Sequence, residues 1–122
     1  MSRWEAAHEA VVVRSRAVGS VWVITLQGDF DFESNNAVDE AVAQALCTVT
    51  WPIVFDVTGV SFCDSQLLGS LLRAAGARRV GLVGANSLVR RLTEVTGTDH
   101  LLVAHPDLDS ARAALTAEPE SD

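Results

Sequence analysis

Residues 53–72 constrain the fold of this chain more than any other stretch. Residues 53–57 are a nearly continuous apolar run, which is typical of a central strand covered on both faces. A tight loop follows, and a helix is then predicted to start near Asp64 or Ser65. The apolar face of that helix consists of Leu68, Leu71, Leu72 and Ala75. A buried strand followed by an amphipathic helix predicts a layered α/β domain.

Strands and helices alternate along the rest of the chain. Strands are predicted at residues 11–13, 21–26, 53–57, 80–83 and 100–103. The other helices are predicted to begin at Ser34, at Asn86 or Ser87, and at Pro106-Asp107. The first two strands form a hairpin, and the later alternation predicts a mixed, mostly parallel sheet of about five strands with about four helices. We expect one domain for residues 1–122, with a core at about residues 10–117 and polar tails at both ends.

Several local features complete this prediction. Gly28 is predicted to end the second strand and to open a loop at residues 29–33. The two cysteines, Cys47 and Cys63, are predicted to be buried free thiols. The inward face of the third helix is predicted to be Leu88, Val89, Leu92 and Val95.

The charge and hydropathy of the chain restrict its partners. The formal net charge is −7, from nine basic residues, all Arg, and 16 acidic residues. An acidic domain repels phosphate backbones, so nucleic acid is not an expected partner, whereas a protein with a basic patch is. No apolar run approaches the roughly 20 residues that span a bilayer, and residues 1–9 lack the apolar core of a signal peptide. These features predict a cytoplasmic protein that does not bind membranes.

Three segments resemble the STAS domain family, and the anti-sigma factor antagonists within it. Residues 28–31 are similar to the family's G-E-L-D loop, with Asp29 in place of Glu. Residues 55–65 are similar to its central strand and phosphorylation loop, and residues 84–97 to its third helix. The similarity covers about nine-tenths of the chain in the family's order.

The resemblance implies a binding protein that is not an enzyme and needs no cofactor. Ser65 stands where the antagonists carry the Ser or Thr that is phosphorylated by the anti-sigma factor, an ATP-dependent kinase. In that family the unphosphorylated form binds the anti-sigma factor and frees a sigma factor, and a Ser/Thr phosphatase resets the cycle. The partner-binding residues implied for this chain are Asp29, Asp31, Phe32, Asp64, Ser65, Gln66 and Leu67.

The sequence departs from the family pattern directly after Ser65. The family usually reads D-S-[S/T]-G-[L/I], and this chain reads Asp64-Ser65-Gln66-Leu67-Leu68. Leu67 therefore replaces a glycine and is expected to place bulk beside the acceptor. This departure favours an alternative function, an unphosphorylated STAS subunit of a larger assembly such as a lipid transporter or a stress complex.

The acidic and aromatic residues near residues 29–33 allow more than one interpretation. Asp29 and Asp31 would bind a metal ion if their loop approached Asp56 or Asp64, because Mg²⁺ prefers carboxylate ligands. Acidic side chains that face a protein partner are the preferred interpretation. Phe30 and Phe32 are either exposed anchors for a partner or a lid over the core.

Ser65 itself has two compatible roles. A serine at the start of a helix stabilises the first turn, and a phosphate at the same place would lie near unpaired N–H groups. A small enzyme or nucleotide-binding protein is the least supported reading, because the chain shows neither a P-loop nor a nucleophile–base pair. No metal is expected.

Overall fold

The structure is a computed structural model that describes residues 11–30 and 34–117, with only the backbone of Phe62 and Cys63. Five strands are present in this part of the chain: β1 (Val12–Val18), β2 (Val21–Phe30), β3 (Ile53–Cys63), β4 (Val80–Val83) and β5 (Val103–His105). Four helices accompany them: α1 (Asn35–Thr48), α2 (Ser65–Ala77), α3 (Ser87–Val95) and α4 (Leu108–Thr116). The predicted α/β architecture is confirmed.

The strands lie side by side in chain order, β1-β2-β3-β4-β5. β1 and β2 form an antiparallel hairpin, and Gly19 takes a positive φ of 61° in its turn. The pairs β2–β3, β3–β4 and β4–β5 are all parallel. The carboxyl ends of these four strands therefore lie at the same edge of the sheet, where loops and helix starts converge.

Both faces of the sheet are covered, so the central strands are buried on each side. The first core contains Ile24, Leu26 and Phe55, and residues of α1 and α2 pack on it. The second core lies on the other face and combines strand residues with two from α4; its buried members are Val21, Val23, Val54, Val83, Ala111 and Leu115. Alternate residues of β3 enter the two cores, which explains the continuous apolar run that the sequence shows there.

The two long strands extend further than the sequence predicts. β2 passes Gly28 and ends at Phe30, and β3 passes Gly59 and ends at Cys63. The predicted loops at residues 29–30 and 58–63 are therefore wrong, and residues 31–33 lie outside the described residues. Register shifts after Thr25 and after Gly28 let the β2–β3 pairing continue. Such irregularities keep a ladder intact where a glycine would otherwise indicate its end.

Three smaller predictions also need correction. In α3, Val89 is buried, but Leu88 is 43% and Val95 69% exposed, because this nine-residue helix covers only the margin of the core. The last strand is not at residues 100–103, since Leu102 donates a backbone hydrogen bond to Thr98 in a turn that precedes β5. Cys47 is exposed near the end of α1, and the side chain of Cys63 lies outside the described residues.

Across residues 11–30 and 34–117, no helix is both long enough and apolar enough to cross a bilayer.

Candidate functional site

α2 begins at Ser65, as the sequence predicts, and it follows β3 after a single residue. Asp64 is the N-cap, with an extended backbone, and Ser65 is the first helical residue. One carboxylate oxygen of Asp64 accepts hydrogen bonds from the backbone N–H groups of Gln66, at 3.0 Å, and Leu67, at 3.1 Å. Two N–H groups that a helix start leaves unpaired are thus satisfied by this one side chain.

The first turn of α2 presents its polar residues outward and Leu67 inward. Ser65 and Gln66 are exposed, whereas Leu67 is 2% exposed and belongs to the first core. The prediction that the Leu67 side chain contacts a partner is therefore wrong. The bulk that replaces the family's glycine fills the interior, and the exposed Ser65 hydroxyl is not covered by it.

The end of β2 lies next to this turn. Asp29 pairs with Phe62, and Phe30 pairs with Cys63, the residue directly before Asp64. Neighbouring strands are about 4.8 Å apart, so the backbone of the exposed Asp29 lies beside the end of β3, just before α2 starts. The structure brings Asp29, Asp64, Ser65 and Gln66 together at one edge.

Phe30 is fully buried, so it is not an exposed anchor for a partner. Its burial favours the other interpretation, that this side chain covers the core. Asp31 and Phe32 lie outside the described residues, so their predicted contacts stay predictions. The chain is described again from Ser34, whose hydroxyl donates to the backbone oxygen of Asp29 at 3.4 Å. The end of β2 and the entry to α1 are therefore in contact beside the site.

Asp56 is engaged within its own strand. Its carboxylate accepts hydrogen bonds from the backbone N–H of Thr58, at 3.1 Å, and from the Thr58 hydroxyl, at 2.7 Å. The described part of the chain contains no group of three or more His, Cys, Asp or Glu residues placed to hold a metal ion. The hydrogen bonds to Thr58 therefore explain why the apolar strand β3 contains the charged residue Asp56.

A polar cluster between α1 and α2 supports the site, and sequence reasoning missed it. The Asn35 side chain donates to the Ser70 hydroxyl at 2.7 Å and to the backbone oxygen of Gln66 at 3.2 Å. Ser70 donates to Asp39 at 2.7 Å, and Arg73 donates to both Asp39 and Ser70. Since the cluster extends from Asn35 to Asp39 and from Gln66 to Arg73, it joins the N-terminal halves of the two helices.

The burial of this cluster makes its hydrogen bonds important. Asn35 is 5% exposed and Ser70 is not exposed, and the buried side-chain oxygen of Asn35 has no hydrogen-bond partner among the described residues. Buried polar groups stabilise a fold only when their hydrogen bonds are made. A serine inside an apolar helix face was the available sequence signal, but its partner on α1 is 35 residues away.

The Asp39 carboxyl shows the electrostatic effect of this cluster. Partial burial alone would raise its pKa, but hydrogen bonds from Ser70 and Arg73 and the positive charge of Arg73 outweigh that effect. The pKa of Asp39 is therefore held below its usual value. The carboxylate is charged at neutral pH and fixes Arg73 against the surface of α1.

The start of α3 repeats the arrangement at the start of α2. Asn86 is the N-cap and accepts a hydrogen bond from the backbone N–H of Val89 at 3.0 Å, which confirms one of the two predicted caps. Its amide also donates to the backbone oxygen of Val60 at 2.9 Å. Ser87 is the first residue of α3 and is exposed, as Ser65 is on α2.

Comparisons with known proteins agree on the fold. Among solved structures, an anti-sigma factor antagonist from Mycobacterium paratuberculosis is 22% identical, with a TM-score of 0.80 over 89% of this chain and 97% of its own. The antagonist SpoIIAA, in its unphosphorylated form, is 20% identical, with a TM-score of 0.64 over 84% of this chain and 96% of its own.

The same fold occurs inside a much larger protein. The murine anion transporter Slc26a9 is 17% identical, with a TM-score of 0.67 over 86% of this chain but only 19% of its own. No curated protein sequence matches this chain. Residues 13–104 match the family model described as "Mlab, STAS domain". Because that match spans most of its length, the chain belongs to the STAS domain family.

Proposed function

We propose that this protein is an anti-sigma factor antagonist whose binding is controlled by phosphorylation of Ser65. The observation that carries the proposal is the exposed Ser65 at the first position of α2, beside Asp64 and Asp29 at one edge of a STAS sheet. The unphosphorylated form would bind an anti-sigma factor that is an ATP-dependent kinase and so free a sigma factor. A Ser/Thr phosphatase acting on phosphorylated Ser65 would restore binding.

Access to the acceptor supports this proposal. A kinase must reach the hydroxyl together with a short stretch of backbone, and the outward side chains of this turn are the polar Ser65 and Gln66. Leu67 points into the core, so it leaves the approach open. Asp29, Asp64 and Gln66 would contact the partner around the acceptor, with Asp31 and Phe32 as further proposed contacts. These partners are cytoplasmic, and this role needs no enzymatic activity of the protein.

The charge at the helix start suggests how phosphorylation would end binding. A phosphoserine adds about −1.5 to −2 charges. The N–H groups of Gln66 and Leu67 already bind the Asp64 carboxylate, so a phosphate on Ser65 would compete with that carboxylate for the positive end of the helix. Like charges repel most strongly where a partner excludes water. A penalty of about 4 kcal/mol in the complex would weaken binding roughly a thousandfold.

The proposal is tested by capturing partners from a lysate of the source cell with three forms of the protein. The baits are wild type, Ser65→Glu and Ser87→Glu, the last of which adds the same charge at the first position of another capped helix. We expect an ATP-binding anti-sigma factor on wild type and Ser87→Glu, and its loss from Ser65→Glu. Incubation of the captured complex with ATP should phosphorylate Ser65, which mass spectrometry locates directly.

One alternative retains support from specific observations. The matching family model is that of a STAS domain described as Mlab, and the same fold forms 19% of an anion transporter chain. An unphosphorylated subunit of a larger assembly, such as a lipid transporter or a stress complex, would use the same edge without a kinase. Under this alternative, all three baits retain one non-kinase partner, ATP leaves Ser65 unmodified, and the phosphorylation proposal is rejected.

A further inference from the structure

A groove of about 640 Å³ opens at the end of α2 that is opposite to Ser65. Its walls are the last turns of α2 and α4, the start of β4, and the edge strand β5 with the loop before it. The volume lies within the range of about 300–1,000 Å³ that small-molecule sites occupy. Leu101 and Val103 line it and are 47% and 43% exposed, so the groove leaves apolar surface in contact with water.

The polar side chains of the groove are basic, although the protein is acidic. Arg78, Arg79, His100 and His105 line it, and no acidic residue of the described chain does. The guanidinium of Arg78 donates to the backbone oxygens of Leu46 and Val49, so the basic groups considered for a ligand are Arg79 and the two histidines. The guanidinium of Arg79 donates to the backbone oxygens of Ala114, at 2.9 Å, and Leu115, at 2.8 Å, which holds its charge at the wall formed by α4. An imidazole carries at least one N–H in either charge state, so both histidines are donors at neutral pH.

One of these donors is positioned by packing. A Cβ atom on Gly81 would lie 3.1 Å from the Cδ2 atom of His105 and 3.1 Å from the Cδ1 atom of Leu115. The absence of a side chain at Gly81 therefore lets the imidazole lie against β4 and beside Leu115. The ring therefore lies where the apolar wall meets the basic residues.

We infer that this groove binds a small amphiphilic carboxylate. The apolar body would lie against Leu101, Val103 and Leu115, and the carboxylate would accept hydrogen bonds from His100 and His105 near the charge of Arg79. The guanidinium charge of Arg79 at the wall, and the lack of acidic side chains among the described lining residues, favour an anion over a neutral amphiphile. α2 has 13 residues and is therefore about 20 Å long, so this site is separate from Ser65 and independent of the proposed function.

Titration of the purified protein with decanoate tests the inference, with decanol as the uncharged ligand of the same chain length. Gly76→Leu adds a bulky side chain to the lining of the groove, where an added Cβ atom meets no atom of the described residues within 4 Å. Gly69→Leu is the matched control in the same helix, outside the groove, where the nearest atom to an added Cβ is 3.6 Å away on Arg73. We expect wild type and Gly69→Leu to bind decanoate equally, and Gly76→Leu to bind it at least about tenfold more weakly.

Calorimetry gives the affinities, and thermal unfolding shows that Gly76→Leu remains folded. Leu101→Asp provides a second variant, because this exposed position tolerates a polar residue and the added charge would repel the carboxylate; it should also bind at least about tenfold more weakly. Equal binding of decanol and decanoate would overturn the inference, as would unchanged binding in both variants. Absence of decanoate binding, or a dimer in sedimentation that covers the groove, would overturn it as well.

Discussion

Asp64 combines two properties at one position, because it caps α2 and places a negative charge beside Ser65. Asp64→Ala should lower the free energy of unfolding by about 1 kcal/mol, since the N–H groups of Gln66 and Leu67 lose their acceptor. Asp64→Asn keeps an acceptor oxygen and should lose clearly less. Urea denaturation measures both. An equal loss in the two variants would mean that the charge, and not the hydrogen bonds, stabilises this turn.

Gly84 occupies a position that no other residue type fits. Its φ is 75°, and an added Cβ atom would lie 2.8 Å from the Cβ and 2.9 Å from the Cα of Thr58. Gly84→Ala should therefore destabilise the protein by at least about 2 kcal/mol, from backbone strain together with the steric clash.

Gly97 provides the control for this prediction. Its φ is 70°, but an added Cβ atom meets no atom of the described part of the chain within 4 Å. Gly97→Ala should lower the free energy of unfolding by about 1 kcal/mol, from the strain of a positive φ alone. The difference between the two melting temperatures measures the clash with Thr58, and equal values for the two variants would show that the strand end relaxes away from the new methyl group.

At this scale, local chemistry predicts helix starts well and buried polar partners poorly. Asp64, Asn86 and Asp107 cap their helices within a residue of where the sequence predicts, because a cap depends on atoms two or three residues away. Asn35 and Ser70 meet only after two helices have packed. The inward direction of the Leu67 side chain likewise depends on how α2 packs on the sheet. The family pattern alone therefore placed Leu67 on the partner-binding surface, whereas it lies in the core.

The contact between α1 and α2 predicts a dependence of stability on acid. Because the pKa of Asp39 is lowered in the folded state, the unfolded chain binds more protons as the pH falls. This contribution to stability is complete above the unfolded pKa of about 3.9 and is lost as the pH falls through the lower folded value. Urea denaturation between neutral and strongly acidic pH should show a steeper loss for wild type than for Asp39→Asn.

Asp107 gives a comparison for this effect, since the pKa of its carboxyl is lowered by hydrogen bonds from Ser110, chiefly the backbone one, at the start of α4. Asp107→Asn should likewise make the loss of stability with falling pH less steep, without changing the α1–α2 contact. The prediction for Asp39 fails if Asp39→Asn loses stability with falling pH as steeply as wild type does. It also fails if Arg73→Gln, which removes the positive charge beside Asp39, leaves the slope unchanged.

Strand lengths are the element-scale feature that the sequence predicts least well. Gly28 and Gly59 are ordinary turn signals, yet both lie inside strands that pair with each other. Pairing between β2 and β3 supplies hydrogen bonds that local propensity does not reveal. The consequence for the site is direct, since the longer strands carry Asp29 and Asp64 to the same edge.

At the scale of the whole molecule, the alternation of strands and helices predicts the architecture correctly, because each element must bury its apolar side against a neighbour. The faces of the sheet differ in how they are covered. α1 and α2 pack on the first core, while α4, of nine residues, supplies the helical residues of the second. The second face therefore depends on few side chains.

Leu115→Ala tests this dependence. Leu115 is 7% exposed and packs with the buried valines of β2, β3 and β4. Its truncation should cost about 2 kcal/mol, the low end for a buried leucine, because the adjoining groove lets water replace part of the lost volume. Leu88→Ala removes the same atoms from a residue that is 43% exposed and should change stability by less than about 0.5 kcal/mol.

The form of the unfolding transition shows whether the two cores act together. The two cores share β2, β3 and β4, so loss of packing under α4 should weaken the whole sheet in a single transition. Trp22 packs against the first core, so its fluorescence, isolated by Trp4→Phe and Trp51→Phe, reports on the face opposite to Leu115. We expect fluorescence and far-UV circular dichroism of Leu115→Ala to give the same urea midpoint. A dichroism change that precedes the fluorescence change would mean that α4 unfolds as a separate unit.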